Sequence, residues 1–174
     1  MNKIENFYLR KPQLNDLAEI KQAYQNSIHL HQPRTYPPTD FEQYLQQEHR
    51  YFVSLTENHA IAGTFNISNF IRGHFHSAYF GYEAFYPYVG LGYMRHGLQL
   101  ILQEAFQTLN LHRLEANIQP ENSRSIRLVT SVGFVNEGFS RQYLRVGGKE
   151  WKDHERWAML NHEWIESLHN LKRG

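Results

Sequence analysis

Apolar positions along the chain fall into two rhythms. After Pro12, Leu14, Leu17, Ile20 and Tyr24 recur at spacings of three and four, which predicts a helix. Asn15-Asp16 are cap candidates at its start. Ahead of it, Phe7-Tyr8-Leu9-Arg10 reads as a short strand. Gln32 to Pro38 reads as a loop, because its prolines break both helix and ladder. Thr39 or Asp40 can cap a second short helix with Phe41, Tyr44 and Leu45 on its inner face.

The period then changes. Tyr51 to Leu55, Ala60 to Ile67 and the aromatic run Ser77 to Tyr86 read as a meander of three strands. Asn58-His59 form the first turn, and Ile71-Arg72-Gly73-His74 lie in the second connection. Leu98, Ile101, Leu102, Ala105, Phe106 and Leu109 return to helical spacing. Arg113 to Ile118 is a strand, and Asn122 to Val132 a short helix with Gly133 as its left-handed terminator. Phe134 to Phe139, Tyr143 to Val146 and Trp151 to Leu160 complete the strands, with Gly147-Gly148 as a hairpin turn. Trp164 to Leu171 has a helical pattern. The order β-α-α-β-β-β-α-β-α-β-β predicts an α/β (α+β) fold, a mixed sheet with helices on its faces. No linker or repeat divides the 174 residues, so a single domain over 1–174 is expected.

Composition removes several function classes. No apolar run is long enough to cross a bilayer, so no membrane role is expected. The first residues lack the apolar centre of a secretory signal, which predicts a cytoplasmic protein. There is no cysteine, which excludes disulfides, thiol nucleophiles and cysteine-bound metals. Eighteen Lys and Arg against 17 Asp and Glu give a net charge of +1, so free nucleic acid is not the expected ligand. The pairs His29/His31 and His74/His76 could each share a strand face, but no third ligand accompanies them and no metal is expected.

The informative segment follows the aromatic strand. Tyr86-Pro87-Tyr88-Val89-Gly90-Leu91-Gly92-Tyr93-Met94 is a glycine turn leading into a helix. Such a turn aims free N–H groups and a positive helix end at one point, an anion site most often used for phosphate. No Gly-Lys-Ser/Thr follows, and the third glycine of a dinucleotide fingerprint would fall at Arg95.

These residues resemble the Gcn5-related N-acetyltransferase (GNAT) superfamily, and within it the RimJ/RimL group that acetylates N-terminal amines of ribosomal proteins. Val89-Gly90-Leu91-Gly92-Tyr93-Met94 matches the family's Arg/Gln-x-x-Gly-x-Gly/Ala, with Val89 in place of Arg/Gln and Met94 in place of Gly/Ala. More specific likenesses are Ile71 to His76 with Phe80-Gly81-Tyr82, Leu111 to Asn117, and Pro120 to Ser125 leading to Val132-Gly133-Phe134. Tyr143-Leu144, Gly148 and Trp151 to His154 end the series. The resemblance implies acetyl-CoA as co-substrate, direct attack without an acyl-enzyme, and often a homodimer paired through sheet edges.

It also implies site residues. The amides of Leu91 to Met94 would hold the pyrophosphate, because the Val89 side chain brings no help. Ala84, Phe85, Val89, Gly90, Leu91, Gly92, Tyr93 and Met94 form the cofactor stretch, joined by Asn122 on the pantetheine arm and Ser125 near the thioester sulfur. Many members place a tyrosine acid further along that helix, where this chain has Val129, so Ser125 or water is left as proton donor. Transfer to an amine also needs a base. Glu83 on the aromatic strand and Glu115 on the next are both open as that base, and Glu115 shares a face with Arg113 as a possible structural pair. Tyr36, Arg72 and Tyr143 are candidates for the acceptor end.

Three functions compete. One is N-acetylation of the N-terminal amine of a protein, with ribosomal proteins as the class the resemblance implies. Another is acetylation of a small amine such as an amino sugar, polyamine or antibiotic, which would favour a closed, acid-lined pocket. The third is a non-catalytic acyl-CoA-binding or ribosome-assembly module, kept open by the Val89 departure.

Overall fold

The computed structural model describes residues 6–165. One sheet of seven strands organises them: β1 (Phe7–Arg10), β2 (Arg50–Leu55), β3 (Ile61–Ile71), β4 (Ser77–Ala84), β5 (Arg113–Ile118), β6 (Val135–Val146) and β7 (Glu150–Leu160). The spatial order is β1-β2-β3-β4-β5-β7-β6. Every neighbouring pair is antiparallel except β4 and β5, which run parallel.

Both faces are covered, as expected. On one face, α4 (Tyr93–Gln103) and α5 (Ser123–Ser131) pack on a core that includes Val53, Phe65, Phe80, Leu98, Ile101 and Leu114. On the other, α1 (Leu17–Asn26) and α3 (Phe41–Leu45) enclose a second cluster of Ile20, Tyr24, Tyr44, Phe52, Ile61 and Phe85. Period-two alternation explains the division: Val53 faces the first cluster and Phe52 the second. The two clusters cover β2 on both sides, and all six of its residues are buried.

Several boundaries differ from the sequence reading. A short helix, α2 (Ile28–His31), precedes the proline loop and carries the first His pair. His29 and His31 therefore do not share a strand face. The aromatic strand stops at Ala84 rather than Tyr86, because the Phe85 ring turns fully into the second cluster. The strand read as ending at Ile67 continues to Ile71. The two segments read as Phe134–Phe139 and Tyr143–Val146 are one bent strand, β6. Its register to β7 shifts between Ser140 and Leu144, and Gln142 there has φ of 46° with its N–H held by Asp153 Oδ1 at 2.8 Å. Asp40 is the cap of α3, accepting from Gln43 N–H at 2.9 Å. Asp16 sits at the start of α1, but its carboxylate takes a bidentate Arg10 at 2.7 and 2.8 Å rather than a helix N–H. The helical pattern read from Trp164 onward lies almost wholly outside the described residues.

Gly97 lets α4 approach the sheet. A Cβ there would meet the Phe65 ring at 2.9 Å and Val53 at 3.1 Å. Overpacking against these fully buried side chains forces backbone or rotamer shifts. Gly97→Val is expected to lower stability by about 1–3 kcal/mol. Urea unfolding checks this, and an unchanged midpoint would contradict the close approach.

Candidate functional site

Strands β4 and β5 pair only at Ser77–Arg113, Ala78–Leu114 and Tyr79–Glu115. Beyond Tyr79 they part. The inner edges of Phe80–Ala84 and Ala116–Ile118 then face a cleft of about 1080 Å³ instead of each other. Backbone groups on such edges need partners, so the opening is a ready site for a ligand carrying amides.

A strut crosses the open end. His31 Nε2 lies 2.9 Å from the Ala84 carbonyl on the β4 arm. Three residues on, the Arg34 carbonyl accepts from Gln119 Nε2 at 2.8 Å, just after the β5 arm. The segment from His31 to Arg34 therefore touches both arms. Its proline loop then carries Tyr36 to the β6–β7 hairpin, where a Cβ on Gly147 would strike the Tyr36 ring at 2.5 Å. Only glycine, at φ of 58°, fits beneath the ring.

The glycine turn builds one end of the cleft. Gly90 and Gly92 have φ of 82° and 88°, and Gly92 caps α4. The first N–H groups of α4 have no carbonyl one turn back, so those of Tyr93, Met94 and Arg95 stay available at the positive end of the helix. Val89, Gly90, Gly92, Tyr93 and Met94 line the cleft. Leu91 is exposed and Phe85 is buried in the second cluster, so neither side chain lines it. Ala84 does line it.

At the start of α5, Asn122 caps the helix through Oδ1 to Ser125 N–H at 3.3 Å. The Ser125 carbonyl accepts from Tyr82 Oη at 3.4 Å, which ties β4 to α5 across the cleft. Ser125 lines the same cleft. Val129, where many relatives place a tyrosine, is fully buried beneath it. The sequence reading placed Tyr82 in a family likeness but gave it no role. Its ring stacks on Phe80 at 5.4 Å, and burial raises its hydroxyl well above the ordinary value. It therefore stays a protonated donor.

The two carboxylates part company. Glu83 lines the cleft, and its Oε2 is buried without a hydrogen-bond partner among the described residues. Burial raises its pKa, opposed by the charges of Arg50 and His31 and by Tyr24. Glu115 lies outside the cleft lining and is bonded to Arg113 at 2.8 Å. Arg113 also grips Glu137. Arg72 is exposed, with Nη1 on the Leu109 carbonyl at 2.9 Å, away from the cleft. Tyr143 is likewise outside it, with its hydroxyl 3.3 Å from that of Tyr79. Tyr36 is the one acceptor candidate that lines the cleft.

Two further features were not read from the sequence. The cleft is lined by five arginines: Arg34, Arg95, Arg124, Arg127 and Arg145. They come from four separate segments, so no local run announces them. Asn117, on the β5 arm, has a buried Oδ1 without a partner, an acceptor suited to an amide N–H. Among the described residues no cluster of His, Asp and Glu could hold a metal, and no helix is long and apolar enough to cross a membrane.

Comparison with known proteins agrees with this geometry. The family described as Acetyltransferase (GNAT) domain matches residues 6–135. The [ribosomal protein uS5]-alanine N-acetyltransferase of Escherichia coli is 36% identical over 104 residues, 60% of this chain and 53% of that one. The chain thus spans about half the length of that relative. The probable N-acetyltransferase YjcK of Bacillus subtilis is 31% identical over 71% of this chain and 68% of its own. Among solved structures, the ribosomal-protein-S5-alanine acetyltransferase of Vibrio fischeri superposes with a TM-score of 0.83 at 26% identity, covering 95% of this chain and 98% of that one. A Vibrio cholerae spermidine N-acetyltransferase in complex with CoA and spermine shares the fold at a TM-score of 0.74 and 20% identity, over 92% and 99% of the two chains. A domain match across most of the chain, on a sheet that opens between its parallel strands, settles the family: the chain belongs to the Acetyltransferase (GNAT) domain family and is similar to its RimJ-type members.

Proposed function

We propose that the enzyme transfers acetyl from acetyl-CoA directly to the N-terminal amine of a protein, with ribosomal proteins as the first class of acceptor to test. The observation that carries the choice of acceptor is the charge of the cleft: its lining holds five arginines and one acid, Glu83. A polyamine carries several positive charges and needs several carboxylates. A peptide terminus brings one ammonium, which a single carboxylate can hold. The names of the Escherichia coli and Vibrio fischeri relatives support the same acceptor class.

The residues fit acetyl-CoA. The α4 amides and the neighbouring Arg95, Arg124 and Arg127 suit its phosphates, and the unpartnered Asn117 Oδ1 and the open strand edges suit the pantetheine amides. Bound there, acetyl-CoA supplies the acetyl thioester. Glu83 attracts the ammonium and takes its proton, and its raised pKa makes it the stronger base. Ser125 donates its hydroxyl proton to the departing thiolate, which leaves as the thiol. Glu115, already committed to Arg113, is left as a structural group.

Two outcomes test this reading. Glu83→Gln is expected to lower kcat by about a hundredfold or more, with the KM for acetyl-CoA nearly unchanged. Thiol release with Ala- and Ser-starting peptides should exceed that with spermidine. Faster turnover of spermidine would overturn the peptide assignment.

The same substitution has a stability consequence. The folded state holds the Glu83 pKa above its unfolded value. Its contribution to stability is therefore full below the unfolded pKa and is lost as pH rises through the folded one. Glu83→Gln is expected to unfold later than wild type at neutral pH. The gap should close as pH falls through the ordinary carboxylate range, which thermal unfolding across pH will show.

A further inference from the structure

Arg50 has no part in the steps above, yet it is buried to 5% exposure and lies next to the site. Among the described residues no carboxylate stands within ion-pair distance of it. Instead its Nε donates to Gln47 Oε1 at 2.8 Å and its Nη1 to Thr64 Oγ1 at 3.1 Å. The guanidinium lies over the Tyr44 ring, 3.7 Å from its centroid. Such a contact holds a cation without neutralising it.

Thr64 connects this cation to the cleft. In the β3–β4 register Thr64 stands directly opposite Glu83. Side chains opposite one another on antiparallel strands share a face at about 5 Å between Cβ atoms. A guanidinium without a carboxylate and a carboxylate oxygen without a donor thus share one buried face, with Thr64 and Tyr44 between them. The other groups facing Glu83 are His31 from α2 and Tyr24 from α1, whose hydroxyl is 3.4 Å from that of Tyr44. Arg50 is the permanently charged member of this set.

We propose that Arg50 is a positioning residue for Glu83: a fixed positive charge, kept out of contact by Thr64 and Tyr44, that holds the carboxylate ionised without consuming its basicity. This rests on Glu83 being the base of the proposed reaction. The logic is one of distance. A contacting ion pair would bind the carboxylate and weaken it as a base. With no cation at all, burial would leave the carboxyl protonated and unable to accept. During turnover the acceptor's N–H bond breaks, its proton passes to a Glu83 oxygen, and the nitrogen keeps the electron pair that attacks the thioester. Arg50 keeps its charge throughout.

The test is the pH profile of kcat/KM with an acceptor peptide. Removing a cation raises a neighbouring carboxyl pKa, so Arg50→Gln should move the acidic limb to higher pH. The ratio of activity at mildly acidic pH to the alkaline plateau should fall by about threefold or more. Arg50→Lys, which keeps the charge, should hold the limb near its wild-type position. Should Arg50→Gln fail to fold, Arg50→Met removes the charge while filling the space over Tyr44 and gives the same reading. A uniform loss at every pH, with the limb unmoved, overturns the proposal and leaves Arg50 a packing residue. A Glu83→Gln enzyme that keeps both turnover and the wild-type limb overturns the base assignment itself, whatever Arg50 does.

Discussion

The departure of β4 from β5 after Tyr79 and Glu115 is the constraint on which the rest depends. A sheet gains by pairing every edge, and here two inner edges are held apart within the fold. The separation is built in from three sides. Tyr82 reaches from β4 to the Ser125 carbonyl, His31 occupies the Ala84 carbonyl, and Gln119 beyond β5 holds the Arg34 carbonyl. The proposed reaction puts the phosphates at one end of the resulting wedge, where α4 begins, and the acceptor at the other, where Glu83 and Tyr36 stand. In the proposed reaction one opening would bring a nucleotide and an amine to the same place from opposite ends.

Charge is divided along that wedge. Arg95, Arg124 and Arg127 stand on α4 and α5, where an anionic co-substrate would sit, and Glu83 is the single carboxylate of the lining, proposed to serve the acceptor. That carboxylate costs stability, since folding takes it out of water with one oxygen unsatisfied. Active sites accept such costs where reactivity depends on them. The aromatic side chains behind Glu83 set its surroundings: Tyr24 meets Phe85 at 5.0 Å between ring centroids and Tyr44 at 5.9 Å.

Much of this was legible in the sequence because it is local. The glycine turn and the helix that begins after Asn122 each depend on neighbours within a few residues. What escaped depends on distance along the chain. The five arginines meet only after folding, and Arg50 reaches Glu83 through a residue on another strand. His31 read as half of a metal-like pair, whereas its partner is a carbonyl 53 residues away. Arg72 and Tyr143 belong to motifs typical of the family, but in this fold they bond to Leu109 and Tyr79 outside the cleft. The break read between Phe139 and Tyr143 is a real bend, though β6 pairs on both sides of it.

The central claim is that the wedge and the amides of α4 form a CoA site although Val89 offers them no polar side chain. Titration calorimetry with acetyl-CoA and desulfo-CoA, on wild type and on Gly92→Val, tests it most directly. Gly92 has φ of 88°, which a β-branched residue cannot adopt without strain. The account predicts saturable binding of both ligands to wild type, with Kd on the order of micromolar, and a severe loss in Gly92→Val. No binding by wild type, or equal binding by the variant, would contradict it.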